Sequence, residues 1–332
     1  MPTLSQLTAV NEVETRFSIM LLNEPVAALE LMPAYRGEAG PGMTGTFWKY
    51  EFRDLLRSGD TKRGDDGVAK EVKWKPVTDT YKTEENAKRE WIRDITKMNA
   101  DAAFNLQRKA TIDVTNELLL GLEIAVAAIA TSTAILTQNV TLSGTSQLSD
   151  FTNSDPLDVF SDARLALKRV PYNNRVTPGE LIAVTVPEVI EILRQHPDLQ
   201  ARFANTDGML SLANLAEIMG VNRIVVASAW KDTANEAAAS ATEARVWNKD
   251  IVFAFVNPNI VQETMTFGAT VFSPMPETAG VVEGMADGVP IRIRDYRQEE
   301  KGGGGTWREA DAAYKPKVIL PELAYLVKNA VA

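Results

Sequence analysis

Apolar side chains recur every three or four positions over residues 87–129, which is the spacing of a helix with one buried face. Residues 99–105 include several side chains that favour helix caps. We therefore expect one helix over 84–98 and a second over 105–131. At ~1.5 Å per residue the second helix is about 40 Å long and forms a spine for the molecule.

Helical and strand-like segments alternate in the second half of the chain. Capping side chains or prolines predict helix starts at Asp155-Pro156, Pro187 and Ser211. Gly220 follows the third helix, where a left-handed residue commonly ends a helix. Apolar runs predict buried strands at 181–186, 221–227 and 250–256. This alternation predicts one mixed α/β domain over 155–256.

Residues 46–82 form a long, charged segment of a different kind. Strand-like runs at 47–52 and 72–77 flank a polar tip, and the segment holds nine basic and seven acidic residues. The pattern predicts a long β-hairpin. An isolated two-stranded ribbon is only marginally stable in water, so we expect this one to rest on its own domain or on a neighbouring subunit.

Shorter strand patterns at 265–272, 289–294 and 325–328 follow the α/β region. We expect them to return to a sheet beside the spine helix. The first 45 residues are mixed and end in a glycine-rich stretch, so they are predicted to form an extended arm and not a domain.

Composition narrows the function. The 332 residues carry a formal charge of −9, which weighs against a protein that coats nucleic acid. Cysteine is absent and His196 is the single histidine, which excludes thiolate metal sites, cysteine nucleophiles and multi-histidine metal sites. The first 15 residues contain acids but no base, unlike a secretory signal, and the most apolar run is too short to span a bilayer. A soluble, cytoplasmic chain is expected.

No motif predicts a catalytic, cofactor-binding or metal-binding residue. In residues 301–306 the lysine precedes the glycines, whereas a phosphate-binding loop requires it after them, so a flexible surface loop is expected. His196 stands at a predicted helix end and is expected to be partly exposed. Adjacent acids, as at Asp65-Asp66, are typical of a solvated face. The protein is predicted not to be an enzyme.

The order of these parts resembles the major capsid protein of tailed bacteriophages, whose shell fold is shared with encapsulins. The phrases that carry the resemblance are Ser154-Asp155-Pro156, residues 187–197 (PEVIEILRQHP), 215–229 (LAEIMGVNRIVVASA), 246–250 (VWNKD), 266–272 (TFGATVF) and 321–328 (PELAYLVK). Their order along residues 46–329 is more specific than any one of them.

The resemblance implies an α+β phage capsid fold. Its parts would be an N-terminal arm at 1–45, an extended β-hairpin loop at 46–82, a peripheral domain with the spine helix at 83–154, an axial domain at 155–256, and returning strands at 257–332. It also implies that the extended loop lies across an adjacent subunit. The loop residues expected to make that contact are Arg57, Asp60, Lys62, Arg63, Asp65, Asp66 and Lys70.

The function that the resemblance implies is a shell subunit. Hexamers and pentamers would close into an icosahedral head that encloses double-stranded DNA. Its partners would be other copies of the chain, a portal protein, DNA in weak non-specific proximity and a separate scaffolding protein, because about 46 residues leave no room for a fused one. Assembly would occur in the host cytoplasm, without a membrane. Two alternatives remain, an encapsulin-type compartment and a soluble α/β enzyme with a site at the strand ends within 181–256.

Overall fold

The computed structural model describes residues 27–35, 43–49, 61–63, 67–68, 71, 77–99, 106–168, 179–202, 210–234, 242–260, 265–273, 291–299 and 303–332. The α-helices in these ranges are α1 (Ala27–Leu31), α2 (Asp94–Asn99), α3 (Leu106–Ala130), α4 (Pro156–Lys168), α5 (Pro187–Gln195), α6 (Pro197–Arg202) and α7 (Leu212–Met219). The strands are β1 (Ala34–Tyr35), β2 (Thr44–Lys49), β3 (Val77–Lys82), β4 (Glu84–Arg93), β5 (Asn139–Thr141), β6 (Glu180–Thr185), β7 (Arg223–Val226), β8 (Trp230–Asp232), β9 (Glu243–Arg245), β10 (Ile251–Val256), β11 (Gly268–Ser273), β12 (Arg292–Gln298), β13 (Gly305–Val318) and β14 (Ala324–Lys328).

Strand β13 is the centre of the first sheet, which we call the long sheet. One edge of β13 pairs antiparallel with β4 along residues 305–314. Its other edge pairs antiparallel first with β12 and then with β11, and β1 joins β11 in parallel. Helix α3 packs across one face, where Arg308 Nε donates to Thr111 Oγ1 over 2.8 Å. The predicted spine helix is confirmed, with bounds within one residue of those expected.

The predicted helix over 84–98 is wrong. Residues 84–93 form strand β4, and only residues 94–99 are helical. The apolar positions that suggested a helix do not share one environment: Trp91 packs on Trp307, whereas Met98 is 84% exposed. Instead, β4 pairs with β13 through ten residue pairs, which provide hydrogen-bond partners for its backbone. Pairing with a distant strand therefore overrides the local helical period.

A second sheet has the strand order β5-β14-β10-β6-β7, and we call it the α/β sheet. All six residues of β10 are buried, and its two edges pair with β14 and β6. The strands expected at 181–186, 221–227 and 250–256 are confirmed as β6, β7 and β10. The C-terminal strand differs from expectation, because β14 joins this sheet and not the one beside the spine helix.

Local cap chemistry explains where the helices of this region begin and end. Asp155 Oδ1 accepts the backbone N–H groups of Leu157 and Asp158 over 2.9 and 3.1 Å. Ser211 Oγ accepts the N–H of Asn214 over 3.2 Å. Gly220 ends α7 with φ 69°, a conformation that costs glycine little. The three predicted helix starts are confirmed.

Strands β2 and β3 form an antiparallel ribbon in which Thr44 faces Lys82 and Lys49 faces Val77. The predicted hairpin therefore has its two strands, but both are displaced from the expected runs at 47–52 and 72–77. The rest of the segment, residues 50–60, 64–66, 69–70 and 72–76, lies outside the described residues.

The glycine run at 301–306 forms a tight turn in its described part. Gly303 and Gly304 have φ of 84° and 89° and lead into β13. A Cβ on Gly305 would lie 2.5 Å from the Ile92 carbonyl oxygen and 2.6 Å from Trp91 Cζ2. Gly304 and Gly305 are buried, so the expectation of a flexible surface loop is wrong for these two residues.

Candidate assembly surfaces

The base of the β2–β3 ribbon is attached to the long sheet. Lys317 Nζ lies 3.0 Å from Asp79 Oδ1, which joins β13 to β3. Thr83 Oγ1 lies 2.8 Å from Ser273 Oγ, and both side chains are buried. The ribbon thus begins from a fixed point on its own subunit.

Two of the seven loop residues expected to contact a neighbour lie within the described residues. Lys62 and Arg63 are exposed, and Arg63 Nε donates to the carbonyl of Gly67. The other five lie outside the described residues: Arg57, Asp60, Asp65, Asp66 and Lys70. The contact of this loop with another subunit therefore stays a prediction.

The face of the long sheet opposite the spine helix carries a ladder of paired charges that the sequence analysis missed. Arg292 Nε donates to Asp311 Oδ1 over 2.9 Å. Arg294 Nη2 lies 2.5 Å from Glu309 Oε1 and 3.2 Å from Asp311 Oδ2. The register of β12 on β13 places these side chains on one face. Asp311 and Glu309 are buried, whereas the Arg294 side chain is 43% exposed. The exposed edge of the ladder is therefore a candidate contact surface, because charged groups at an interface favour some partners over others.

An exposed aromatic group marks a second candidate surface, on the β8–β9 ribbon. Trp230 is 43% exposed, and the Arg245 guanidinium carbon lies 4.0 Å from its ring centroid. Arg245 is held by Glu188 Oε1, 2.7 Å from Nη2, and by the Ser228 carbonyl, 2.6 Å from Nη1. Tryptophan and arginine are enriched at the energetic centres of protein interfaces. This ribbon also could not be found from the sequence.

Ser154, His196 and Asp198 lie in an order that resembles a catalytic triad, but the hydrogen bonds run in the wrong direction. The Asp198 backbone N–H donates to His196 Nδ1 over 3.3 Å, so the ring proton is on Nε2. Nε2 therefore donates to Ser154 Oγ over 3.1 Å, whereas a serine nucleophile requires Nε2 as an acceptor. Ser154 Oγ donates onward to the Asp150 carbonyl over 2.7 Å. The arrangement ties loops together and activates no nucleophile.

His196 is fully buried, so the prediction of a partly exposed ring is wrong. Burial lowers the pKa of His196, and the nearby Asp198 and Asp155 oppose that change only in part. The edge of its ring contacts Phe151, with centroids 5.6 Å apart. His196 stands at the end of α5 with its side chain turned inward, a direction that the sequence pattern does not specify.

The described part of the chain offers little for ligand chemistry. It contains no group of three or more histidine, aspartate or glutamate side chains that could hold a metal ion. A cavity of about 300 Å³ lies between α3, β4 and β13, lined by Gly121, Ala125, Tyr314 and their neighbours. Burial raises the pKa of Tyr314 to about 12, which leaves the phenol protonated at neutral pH. No helix among the described residues is both long and apolar enough to cross a membrane.

Comparison with known proteins finds similarity at the level of fold. No family model and no curated protein matches the sequence. A phage-related protein from Bordetella bronchiseptica RB50 has a TM-score of 0.64 and 19% identity, over 92% of this chain and 92% of that chain. The capsid of a native GTA particle has a TM-score of 0.58 and 12% identity, over 94% and 92%. The capsid of cyanophage P-SCSP1u has a TM-score of 0.55 and 10% identity, over 90% and 86%. The chain therefore has the α+β fold of tailed-phage major capsid proteins.

Proposed function

We propose that this chain is the major capsid protein of a tailed bacteriophage. Copies of it assemble through hexamers and pentamers into an icosahedral shell that encloses double-stranded DNA. The observation that carries this proposal is the extent of the fold match, because about nine tenths of this chain aligns with about nine tenths of a phage-related protein and of the capsid of a native GTA particle. Little of the chain is left over for a separate catalytic domain.

Features of the site agree with a structural, non-enzymatic role. The one histidine is buried, and both of its ring nitrogens are occupied by contacts with Ser154 and the Asp198 backbone. The charge ladder, the Trp230 surface and the anchored ribbon are each suited to contacts between proteins. In this proposal the loop at 46–82 lies across a neighbouring copy, the N-terminal arm precedes it, and the subunit works with a separate scaffolding protein and a portal protein in the host cytoplasm.

The test is expression of the full chain followed by gradient sedimentation and negative-stain electron microscopy. Closed shells or capsomer rings are the expected result. A stable monomer at high concentration would overturn the proposal and favour a soluble α/β enzyme. Shells that incorporate a protein cargo and are produced without terminase or portal genes nearby in the genome would favour an encapsulin-type compartment instead.

A further inference from the structure

Residues 27–35 lie across the boundary between the two sheets. Helix α1 packs against the spine helix and against β6, β7 and β10 of the α/β sheet. Strand β1, three residues later, pairs with β11 of the long sheet. Four apolar residues of this segment are buried: Ala27, Ala28, Leu31 and Met32. A segment of nine residues therefore contacts both halves of the fold.

A buried carboxylate in the spine helix holds the first turn of this segment. Glu123 has no exposed surface, and its Oε2 accepts the backbone N–H of Ala28 over 2.8 Å. Its Oε1 accepts the indole N–H of Trp247, which precedes β10. Glu123 forms no ion pair with any described residue, and burying an unpaired carboxylate is costly. Burial raises the pKa of the Glu123 carboxyl, and the two N–H donors oppose that change. Each oxygen meets one N–H donor, so the side chain matches two donors that a leucine could not satisfy.

Three further polar contacts fix the segment, two on the long sheet and one on the α/β sheet. On the long sheet, Thr270 Oγ1 donates to the Met32 carbonyl over 2.9 Å, and the Thr270 N–H donates to the Pro33 carbonyl over 2.9 Å. On the α/β sheet, Arg223 Nη2 lies 2.5 Å from Glu30 Oε2. Since the two attachments belong to different sheets, a rotation of one sheet against the other would break at least one of them.

We propose that residues 27–35 act as a tie that sets the angle between the two sheets, and that Glu123 is its positioning residue. The effect of this tie on shells rests on the proposed function. Subunits in one closed shell must meet at a defined angle, and the angle between the sheets contributes to the shape that each copy presents to its neighbours. Loosening the tie would therefore widen the range of particle diameters without unfolding the subunit.

The test compares Glu123→Gln and Thr270→Val with Thr131→Val in the full chain. Glutamine offers one acceptor oxygen, so one of the two N–H donors loses its partner, and valine removes only the Thr270 hydroxyl. Thr131→Val is the matched control, because the Thr131 hydroxyl donates to Ala127 within the spine helix, 2.8 Å away. Hydrogen exchange at residues 27–35 should become about tenfold faster in the first two variants, the factor expected for one lost hydrogen bond. Exchange in β10 should not change.

Particle diameters measured by electron microscopy complete the test. Glu123→Gln and Thr270→Val should give a wider spread of diameters or incomplete shells, and Thr131→Val the wild-type spread. Unchanged exchange at 27–35, or faster exchange with unchanged diameters, would overturn the tie. If the wild-type chain forms no shells, the proposed function fails, whereas the exchange result still decides whether residues 27–35 depend on Glu123.

Discussion

The indole rings of Trp91 and Trp307 pack against each other with their centroids 4.9 Å apart, at an interplanar angle of 50°. The two residues face each other across the β4–β13 pair, and the Arg89 guanidinium carbon lies 4.3 Å from the Trp307 ring centroid. Aromatic pairs across strands stabilise a sheet beyond the area that they bury. This group holds β4, the strand whose sequence suggested a helix, against the long sheet.

Trp307→Ala should therefore lower the free energy of unfolding by about 2 kcal/mol, measured by urea denaturation. In a double-mutant cycle with Trp91→Ala the coupling energy should be about 1 kcal/mol. Trp230→Ala is the control, because Trp230 lies in the separate β8–β9 ribbon and should not couple to Trp91. A coupling energy near zero for the Trp91–Trp307 pair would show that the rings do not stabilise each other.

His196 should give the fold a pH dependence with a defined sign. Burial lowers its pKa below the ordinary value of 6.5, so the unfolded chain binds a proton more readily than the folded chain does. The contribution of His196 to the free energy of unfolding should be greatest above pH 6.5. It should decrease as the pH falls through 6.5 towards the pKa of the folded state.

As this is the single histidine, its imidazole signals in NMR titrate without overlap and report the folded pKa directly. The variant His196→Gln should remove the part of the stability change that falls just below pH 6.5. A titration midpoint at or above 6.5 would contradict the expected direction.

Gly305 should tolerate no side chain. In Gly305→Ala the new methyl group would lie 2.5 Å from the Ile92 carbonyl oxygen, and overpacking of this kind costs about 1–3 kcal/mol. Gly303→Asn is the control, since Gly303 has open space around it and asparagine tolerates its φ of 84°. Thermal denaturation should show a clear loss of stability for the first variant and little for the second, and equal melting temperatures would refute the steric argument.

Deleting residues 58–68 should separate folding from assembly. The ribbon base is fixed by Asp79 and Thr83, which lie outside the deletion, so circular dichroism and melting temperature should stay close to those of the intact chain. Closed shells should be absent in electron micrographs, because the proposed loop contact with a neighbour is removed. Normal shells from the shortened chain would exclude the loop from that role.

Empty shells should bind duplex DNA only weakly at physiological salt. The chain carries a formal charge of −9, and tight non-specific binding requires many basic contacts to phosphate. Gel-shift or sedimentation assays with purified empty particles should detect no stable complex. Tight binding would show that a basic inner surface exists despite the acidic total.

Local signals explain what could be predicted from the sequence. The spine helix follows from its own period. The starts of α4 and α7 follow from the caps Asp155 and Ser211, and the start of α5 follows from Pro187. Strand β13 was not predicted, because its mixed sequence has no alternating pattern and gains its stability from β4, β11 and β12. The contacts of Glu123 could not be predicted from the sequence, since its partners Ala28 and Trp247 lie 95 and 124 positions away.

The candidate surfaces also differ in whether they depend on nearby or on distant residues. The ribbon was predicted because its strands are close in sequence, although their register was not. The charge ladder depends on the exact pairing of β12 with β13, which no pattern within either strand specifies. The inward direction of His196 likewise depends on Ser154 and Phe151, which come from a loop some forty positions earlier.

The position of β13 within the long sheet has a mechanical consequence. Its backbone is hydrogen-bonded along both edges to β4, β12 and β11. A tensile load along its axis is therefore shared by many hydrogen bonds, which must all break together. A load perpendicular to the strands would instead peel one strand away, bond after bond. The subunit should therefore be stiffest along the direction of this strand. In the proposed shell, this is the direction in which it would best resist an outward push from the contents.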